Sequence, residues 1–382
     1  MRPATTNPFR YGDLALDEAF TDREAELADL TADLRNGQNV VLFAPRRFGK
    51  TSLVWRAIQQ LQRERILVAQ VDLMQTPTKE RLAEKLARAI HDDLASAVFR
   101  AKERLGVFRG LRVPPVVTVD PEDGSIGFSF DAGHRHADLD ATLERLLELP
   151  AEIAATRGRR VVLVFDEFQE ITAIDPGLPA LMRSVFQTQP DVAHAYLGSR
   201  RDMLTRIFND ENEPFWRSAR QMTIGPIAAE AFGPFIASQF RRTRRTIDRA
   251  TIDAVLALTA GHPYGTQEIC YFLWQATPEG ALAGPTELAA ALDRLLQAEH
   301  AHFSRVWEKA PRGQRVLLQA LALGPARPLM ADFRRAHGLG AASSVQKAQR
   351  ALETDELVER TADGRHRIAE PFLAEWVRRH VS

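Results

Sequence analysis

Residues 44–52 read Ala44-Pro45-Arg46-Arg47-Phe48-Gly49-Lys50-Thr51-Ser52, a set of types suited to holding phosphate. They follow the apolar run Val40-Val41-Leu42-Phe43 and lead into Leu53-Val54-Trp55-Arg56-Ala57-Ile58, whose apolar residues have helical spacing. A strand, a loop and a helix opening on Gly-Lys-Thr are the context a P-loop requires. Amides at a helix N-terminus lack intrahelical acceptors, and the helix dipole favours negative charge there. Lys50 would then reach the β- and γ-phosphates of a nucleotide, and the Thr51 hydroxyl would sit on Mg²⁺. Arg46 and Arg47 either lend positive charge beside phosphate or are solvated loop charges. Ala44 stands where the pattern has its first glycine. Alanine fits there if φ is negative and is strained if φ is positive.

An acidic element follows later in the chain. Val161-Val162-Leu163-Val164-Phe165 is continuously apolar, as a parallel strand covered on both faces requires, and it ends in Asp166-Glu167. Open α/β sheets bind ligands at the carboxyl ends of their strands. Asp166 is placed to hold Mg²⁺ through water, and Glu167 to polarise an attacking water. Alone, such a pair also fits a solvated strand end. Two motifs in order, each after an apolar strand, predict a nucleotide-binding P-loop fold. The histidines, His262 included, show no zinc-ligand spacing, so Mg²⁺ is implied only together with nucleotide.

The elements that must position these residues can be read coarsely. An amphipathic helix spans about 23–34, with Asp22 as its N-cap. The first strand, the P-loop and a helix over 51–63 form one βα unit. A second strand at 66–72 precedes a helix of about 79–106. The alternating runs 113–119 and 125–130 flank a turn cluster at 120–124 and predict a β-hairpin insert, about 112–131. A helix of about 137–156 leads into the Asp166-Glu167 strand, and strands follow at 192–199 and 220–224. Strands alternating with helices imply a mostly parallel sheet. From 228 the pattern is helical. From 311, helices at 312–323, 328–337 and 342–354 precede two short strands, which suggests a winged helix. The expected domains are therefore 1–227 (α/β), 228–310 (helical lid) and 311–382 (winged helix).

Length and composition agree. A chain of 382 residues exceeds the ~250–300 at which single cores stop growing. Its hydrophobic fraction of 45% and charged fraction of 26% are those of a globular protein. Lys plus Arg balance Asp plus Glu at 50 each, so whole-chain charge gives no argument for nucleic acid or membrane. The single cysteine, Cys270, excludes an intramolecular disulfide. Residues 1–13 lack the apolar core of a signal peptide, and no apolar run approaches the ~18 residues of a membrane span. A reducing cytoplasm is the expected compartment.

The constellation resembles the archaeal-type ATPases of the STAND group, relatives of AAA+ and origin-recognition ATPases, from about Asn7 to the C-terminus. Phe20-Thr21-Asp22-Arg23-Glu24-Ala25-Glu26-Leu27 is similar to that family's entry motif, which helps enclose adenine, with Asp22 where glycine is usual. By that resemblance Arg23 joins Ala44 to Ser52 as an ATP-binding residue. Asp166-Glu167-Phe168-Gln169-Glu170 is similar to its Walker B form. Gly198-Ser199-Arg200 ends the next strand, where relatives carry a γ-phosphate sensor. Gly261-His262-Pro263 is similar to the lid's Gly-x-Pro, which implies a nucleotide contact for Pro263. Glu370-Pro371-Phe372 resembles the signature that closes the winged helix. Several roles stay open. Gln169 either orients water or bonds backbone, and Ser199 either senses phosphate or caps a strand end. Arg200 and Arg201 either stabilise the transition state or form a surface pair.

These readings predict an ATP-driven switch that hydrolyses slowly, with Lys50, Glu167 and Arg200 as its catalytic groups. Its partner would be a protein, or a second copy engaged on ATP binding. A DNA-binding protein regulated by ATP is the alternative. Its contacts would come from Lys347 and Arg350 on the 342–354 helix and from Arg365 and Arg367 on the wing. Residues 311–382 carry 12 Lys/Arg against 8 Asp/Glu, a small basic excess that favours a packing module over a DNA reader. A third reading is an interaction module with ADP as a permanent cofactor; intact Asp166 and Glu167 argue against it.

Overall fold

The computed structural model describes residues 6–12, 22–95, 104–120, 122, 125–131, 133, 135–361 and 363–381. It divides into two compact units, Arg23–Gly225 and Pro226–Ser382, the latter joined by the N-terminal segment through Asp22.

The Arg23–Gly225 unit is built on a parallel five-stranded sheet. Its strands are β1 (Val40–Phe43), β2 (Leu67–Asp72), β5 (Val161–Asp166), β6 (Val192–Gly198) and β7 (Arg220–Thr223), in the order β2-β5-β6-β1-β7. The intervening β3 (Val116–Val119) and β4 (Ile126–Ser129) pair antiparallel as the expected hairpin. β1 and β6 are buried throughout, and β5 is buried up to Asp166. Their unbroken apolar runs follow from helices covering both faces. Those helices include α1 (Glu24–Arg35), α2 (Lys50–Arg63), α3 (Lys79–Ala89), α4 (His136–Arg157), α5 (Leu178–Phe186) and α6 (Arg201–Asn209). β6 lies between β5 and β1, so the loops leaving all three strands open at one edge of the sheet.

The helix expected over 79–106 ends early. α3 gives way to a π-helical turn at Ile90–Ala95, which carries the Asp93 carboxylate to the Gln70 amide at 3.1 Å. Gln70 is on β2, an edge strand of the sheet, so this bond satisfies an otherwise open donor. Residues 96–103 lie outside the described part, and a 3₁₀ turn occupies Arg104–Phe108.

The second unit contains α7 (Ala229–Arg242), α8 (Arg249–Thr259), α9 (Pro263–Ala276), α10 (Pro285–Ala298) and α11 (His300–Lys309). The winged helix follows as α12 (Arg312–Ala322), α13 (Ala331–Ala336), α14 (Ala342–Thr354), the antiparallel strands Val358–Arg360 and His366–Ile368, and a closing α15 (Pro371–His380). No break falls at 310, because Leu295 and Phe303 share one apolar core with Leu317, Phe372 and Trp376. The described N-terminal residues correct the expected assignment of the whole N-terminus to the α/β domain. Phe9 is buried in this second core, and Asn7 donates to the Tyr271 carbonyl at 3.1 Å. Among the described residues, no helix is long and apolar enough to cross a membrane.

Candidate active site

β1 carries the chain to the carboxyl edge of the sheet, where the Ala44 amide donates to the Gly198 carbonyl at 3.2 Å. Ala44 is buried and does not adopt a positive φ, so alanine is unstrained there. Pro45, Arg46 and Arg47 are exposed, and Phe48 is buried. The loop turns into α2 through Arg47 at φ +66° and Gly49 at φ +84°. Gly49 is the N-cap, and its left-handed backbone is one that a side chain disfavours. Beyond it the first amides of α2 lack intrahelical acceptors. Lys50 and Ser52 are buried, whereas Thr51 is exposed.

Lys50 reaches across to the end of β5. Its Nζ donates to Asp166 Oδ1 at 2.6 Å and to Glu167 Oε1 at 2.8 Å. Glu167 has φ +51°, a conformation that costs a non-glycine residue about 1–3 kcal/mol. Its neighbours impose it. Asp166 Oδ1 accepts the Glu167 amide at 2.9 Å. Phe168 is fully buried among Phe165, Tyr196, Phe208 and Phe215, with ring centroids 4.6–6.0 Å away. That anchor draws the chain inward directly after Glu167 and leaves the carboxylate at the sheet edge.

Gln169 and Ser199, the expected sensors, both converge on Glu167. Gln169 Nε2 donates to Glu167 Oε2 at 2.5 Å, and Ser199 Oγ donates to the same oxygen at 3.2 Å. Burial raises the Glu167 pKa, but the Lys50 charge and hydrogen bonds from Lys50, Gln169 and Ser199 outweigh it. The carboxyl is held below its ordinary value.

The remaining site residues are distributed more widely. Arg200 is the N-cap of α6 and is half-buried; Arg201, the next residue, is exposed. Arg23 is buried, pairs with Glu26 at 2.8 Å and donates to the Gly225 carbonyl. Asp22 has φ +51°, a conformation that suits glycine. Phe20 and Thr21 of the entry motif lie outside the described residues. Pro263 belongs to the second unit, in the first turn of α9, where His262 Nδ1 caps the Gly265 amide at 3.1 Å. On the winged helix, Lys347 and Arg350 are exposed on α14. Arg365 is instead paired with Asp363 at 2.5 Å and Arg367 with Glu359 at 2.6 Å.

One acidic residue at this edge was not singled out from the sequence. Asp72 ends β2 and is the register partner of Asp166, with Oδ1 accepting the Met74 amide at 2.8 Å. An acid closing the mostly apolar run 66–71, broken by Gln70, is a weaker form of the signal that identified Asp166. Among the described residues, no group of three or more His, Cys, Asp or Glu is arranged to hold a metal by itself. The donor set still fits a metal brought in by nucleotide. Thr51 offers an exposed hydroxyl, Asp166 a partly exposed carboxylate, and Lys50 an ammonium already directed to this spot.

A parallel sheet with this loop, this cation and these carboxylates at one edge defines a P-loop nucleotide-binding core. A family model described as an ATPase domain predominantly from Archaea matches residues 20–264, and the chain belongs to that family. A model described as a probable winged helix domain matches residues 301–379. Among solved structures, the Walker-type ATPase of Pyrococcus abyssi is similar with a TM-score of 0.66 and 18% identity, over 95% of this chain and 97% of that one. The ORC1 protein of Aeropyrum pernix, solved in complex with DNA, gives 0.49 and 14% identity over 95% of each chain. The first of these likenesses concerns the fold alone. No curated protein matches the sequence.

Proposed function

We propose that this chain binds ATP with Mg²⁺, hydrolyses it slowly and works as a nucleotide-dependent switch of the STAND type. The observation that carries the reading is the Lys50 ammonium set between Asp166 and Glu167 at the start of α2. Loop residues 44–52 and Lys50 would hold the phosphates, Thr51 and Asp166 would hold Mg²⁺, and Glu167 would accept a proton from water. Mg²⁺, when bound, offsets phosphate charge. Phosphoryl transfer needs mainly positioning and charge stabilisation, which these groups supply. Arg200, next to the Ser199 that touches Glu167, is the group proposed to add positive charge in the transition state.

Slow turnover has a physical basis in the same contacts. A carboxylate with a depressed pKa, tied by three side chains, is a weak base until Lys50 turns to phosphate. A slow step lets each nucleotide state persist, which a switch requires. Single-turnover hydrolysis by the native chain and by Glu167→Gln tests this. Equal rates would remove Glu167 from the chemistry.

DNA binding is the second reading, favoured by one observation, the exposed Lys347 and Arg350 on α14. The ion pairs of Arg365 and Arg367 with wing carboxylates support the packing module instead.

A further inference from the structure

We propose that Gln169, seated in space that Gly198 leaves open, is a positioning residue for Glu167: it fixes Oε2 and thereby reserves Oε1 for the proton of the attacking water. The inference rests on the reading of Glu167 as the general base. It goes further in assigning the two carboxylate oxygens different tasks and in giving Gln169 a role through Glu167 rather than on phosphate.

The contacts separate by oxygen. Gln169 Nε2 and Ser199 Oγ both bond Oε2, whereas Lys50 bonds Oε1. Once Lys50 turns to phosphate, Oε1 alone is released and Oε2 stays held. A water proton then passes to Oε1 as the water oxygen bonds the γ-phosphorus and the β,γ-bridging P–O bond breaks toward ADP. A carboxylate with one oxygen fixed and one free keeps its direction, as a base must to meet water in line.

Gln169 is 2% exposed, and its carbonyl Oε1 has no hydrogen-bond partner. A buried, unpartnered carbonyl is destabilising, so an apolar residue of the same size would serve a purely structural purpose better. Its amide makes one side-chain bond, and that bond goes to Glu167. Gly198 makes the seat. A Cβ at 198 would overlap Gln169 Oε1 and come within 2.6 Å of Leu204 Cδ1. The Gly198 carbonyl also takes the Ala44 amide, so one residue sets both the start of the P-loop and the space for Gln169.

The test uses the full chain and steady-state ATP turnover, with Glu167→Gln as the control. Gln169→Met keeps the volume and removes the donor. The expected result is a fall in kcat of about 10- to 100-fold, with KM for ATP near its native value and the thermal midpoint at or above native. A folded Gln169→Met with native kcat, while Glu167→Gln is inactive, overturns the inference and leaves the function standing. Native turnover in Glu167→Gln overturns both. Should methionine at 169 prevent folding, Gly198→Ala provides the second route. Its kcat should fall as described, and Gln169→Ala/Gly198→Ala should lose less than the sum of the two single losses, because the new methyl then meets only Leu204. Losses that simply add would refute the shared space.

Discussion

Glu167 Oε1 accepts a hydrogen bond from Lys50 Nζ at 2.8 Å, so the P-loop cation and the proposed base are bonded to each other. Phosphate therefore has to compete with two carboxylates for one ammonium. The exchange would couple occupancy of the loop to the basicity of Glu167, and the Lys50 and Glu167 variants below act on its two sides.

Lys50→Ala should lose at least about 10-fold in ATP affinity, one charge-assisted contact being worth about 1.5–3 kcal/mol. It should also lower the thermal midpoint, because Asp166 and Glu167 are then left as unpaired neighbours of like charge. Titration calorimetry beside a thermal melt reads both. Unchanged affinity in a folded variant would remove the P-loop assignment.

Glu167→Gln should bind Mg·ATP about as well as the native chain and turn it over about 10²- to 10⁴-fold more slowly, the usual worth of a general base. Asp166→Asn should act differently, weakening the Mg²⁺ dependence of nucleotide binding. Affinity measured with and without Mg²⁺ for the two variants separates metal holding from proton transfer. Identical behaviour of the pair would contradict the assigned roles.

Stability should fall with acid in two windows. Burial, reinforced by Arg183, pushes the His194 pKa down from 6.5 to about 3. Between those values the unfolded chain takes up a proton that the folded chain refuses. Stability then declines as pH falls, with a limiting slope of about 1.4 kcal/mol per pH unit from this group. Glu167 has a folded pKa below its ordinary 4.5. Its contribution is complete above pH 4.5 and is lost as pH falls through the folded value. Urea unfolding at pH 7, 6 and 5 should show a flatter slope for His194→Leu than for the native chain. Parallel slopes would reject the His194 linkage.

Neutralising Lys347, Arg350, Arg365 and Arg367 together should leave ATP turnover unchanged if the winged helix is a packing module. Deleting 311–382 should then cause aggregation, since Leu317, Phe372 and Trp376 share a core with Leu295 and Phe303. In the DNA reading, each lost phosphate contact changes the slope of log K against log salt by about 0.9. The ion pairs of Arg365 and Arg367 lower the expected change from four contacts to two. Tight duplex binding at physiological salt, abolished in the quadruple variant, would decide for DNA.

The site was legible where local pattern and chemistry coincide. Val40–Phe43 before the P-loop and Val161–Phe165 before Asp166 are buried apolar strands, and the hairpin and wing fell near their turn residues. What escaped depends on long-range packing. No periodicity announces that β6 lies between β5 and β1, and that insertion is what brings Ser199 to Glu167. Phe9 in the second core is one aromatic in a polar segment, placed by partners more than 200 residues away. The π-turn at 90–95 answers the edge of β2, which no window over 79–106 contains. α15 opens on Pro371, whose fixed φ suits the first helical position.

Ala44 bears on how such loops are recognised at all. A pattern written in letters penalises this chain at its first position, although the backbone there makes no demand that only glycine can meet. Written in dihedral angles, the requirement falls on Gly49, and a left-handed Arg47 shows that the rest of the loop tolerates side chains. A search that scores torsional demand by position would therefore admit sequences with alanine at the first place. It would still reject those with a branched residue before the lysine, and so enlarge the family without loosening its criterion.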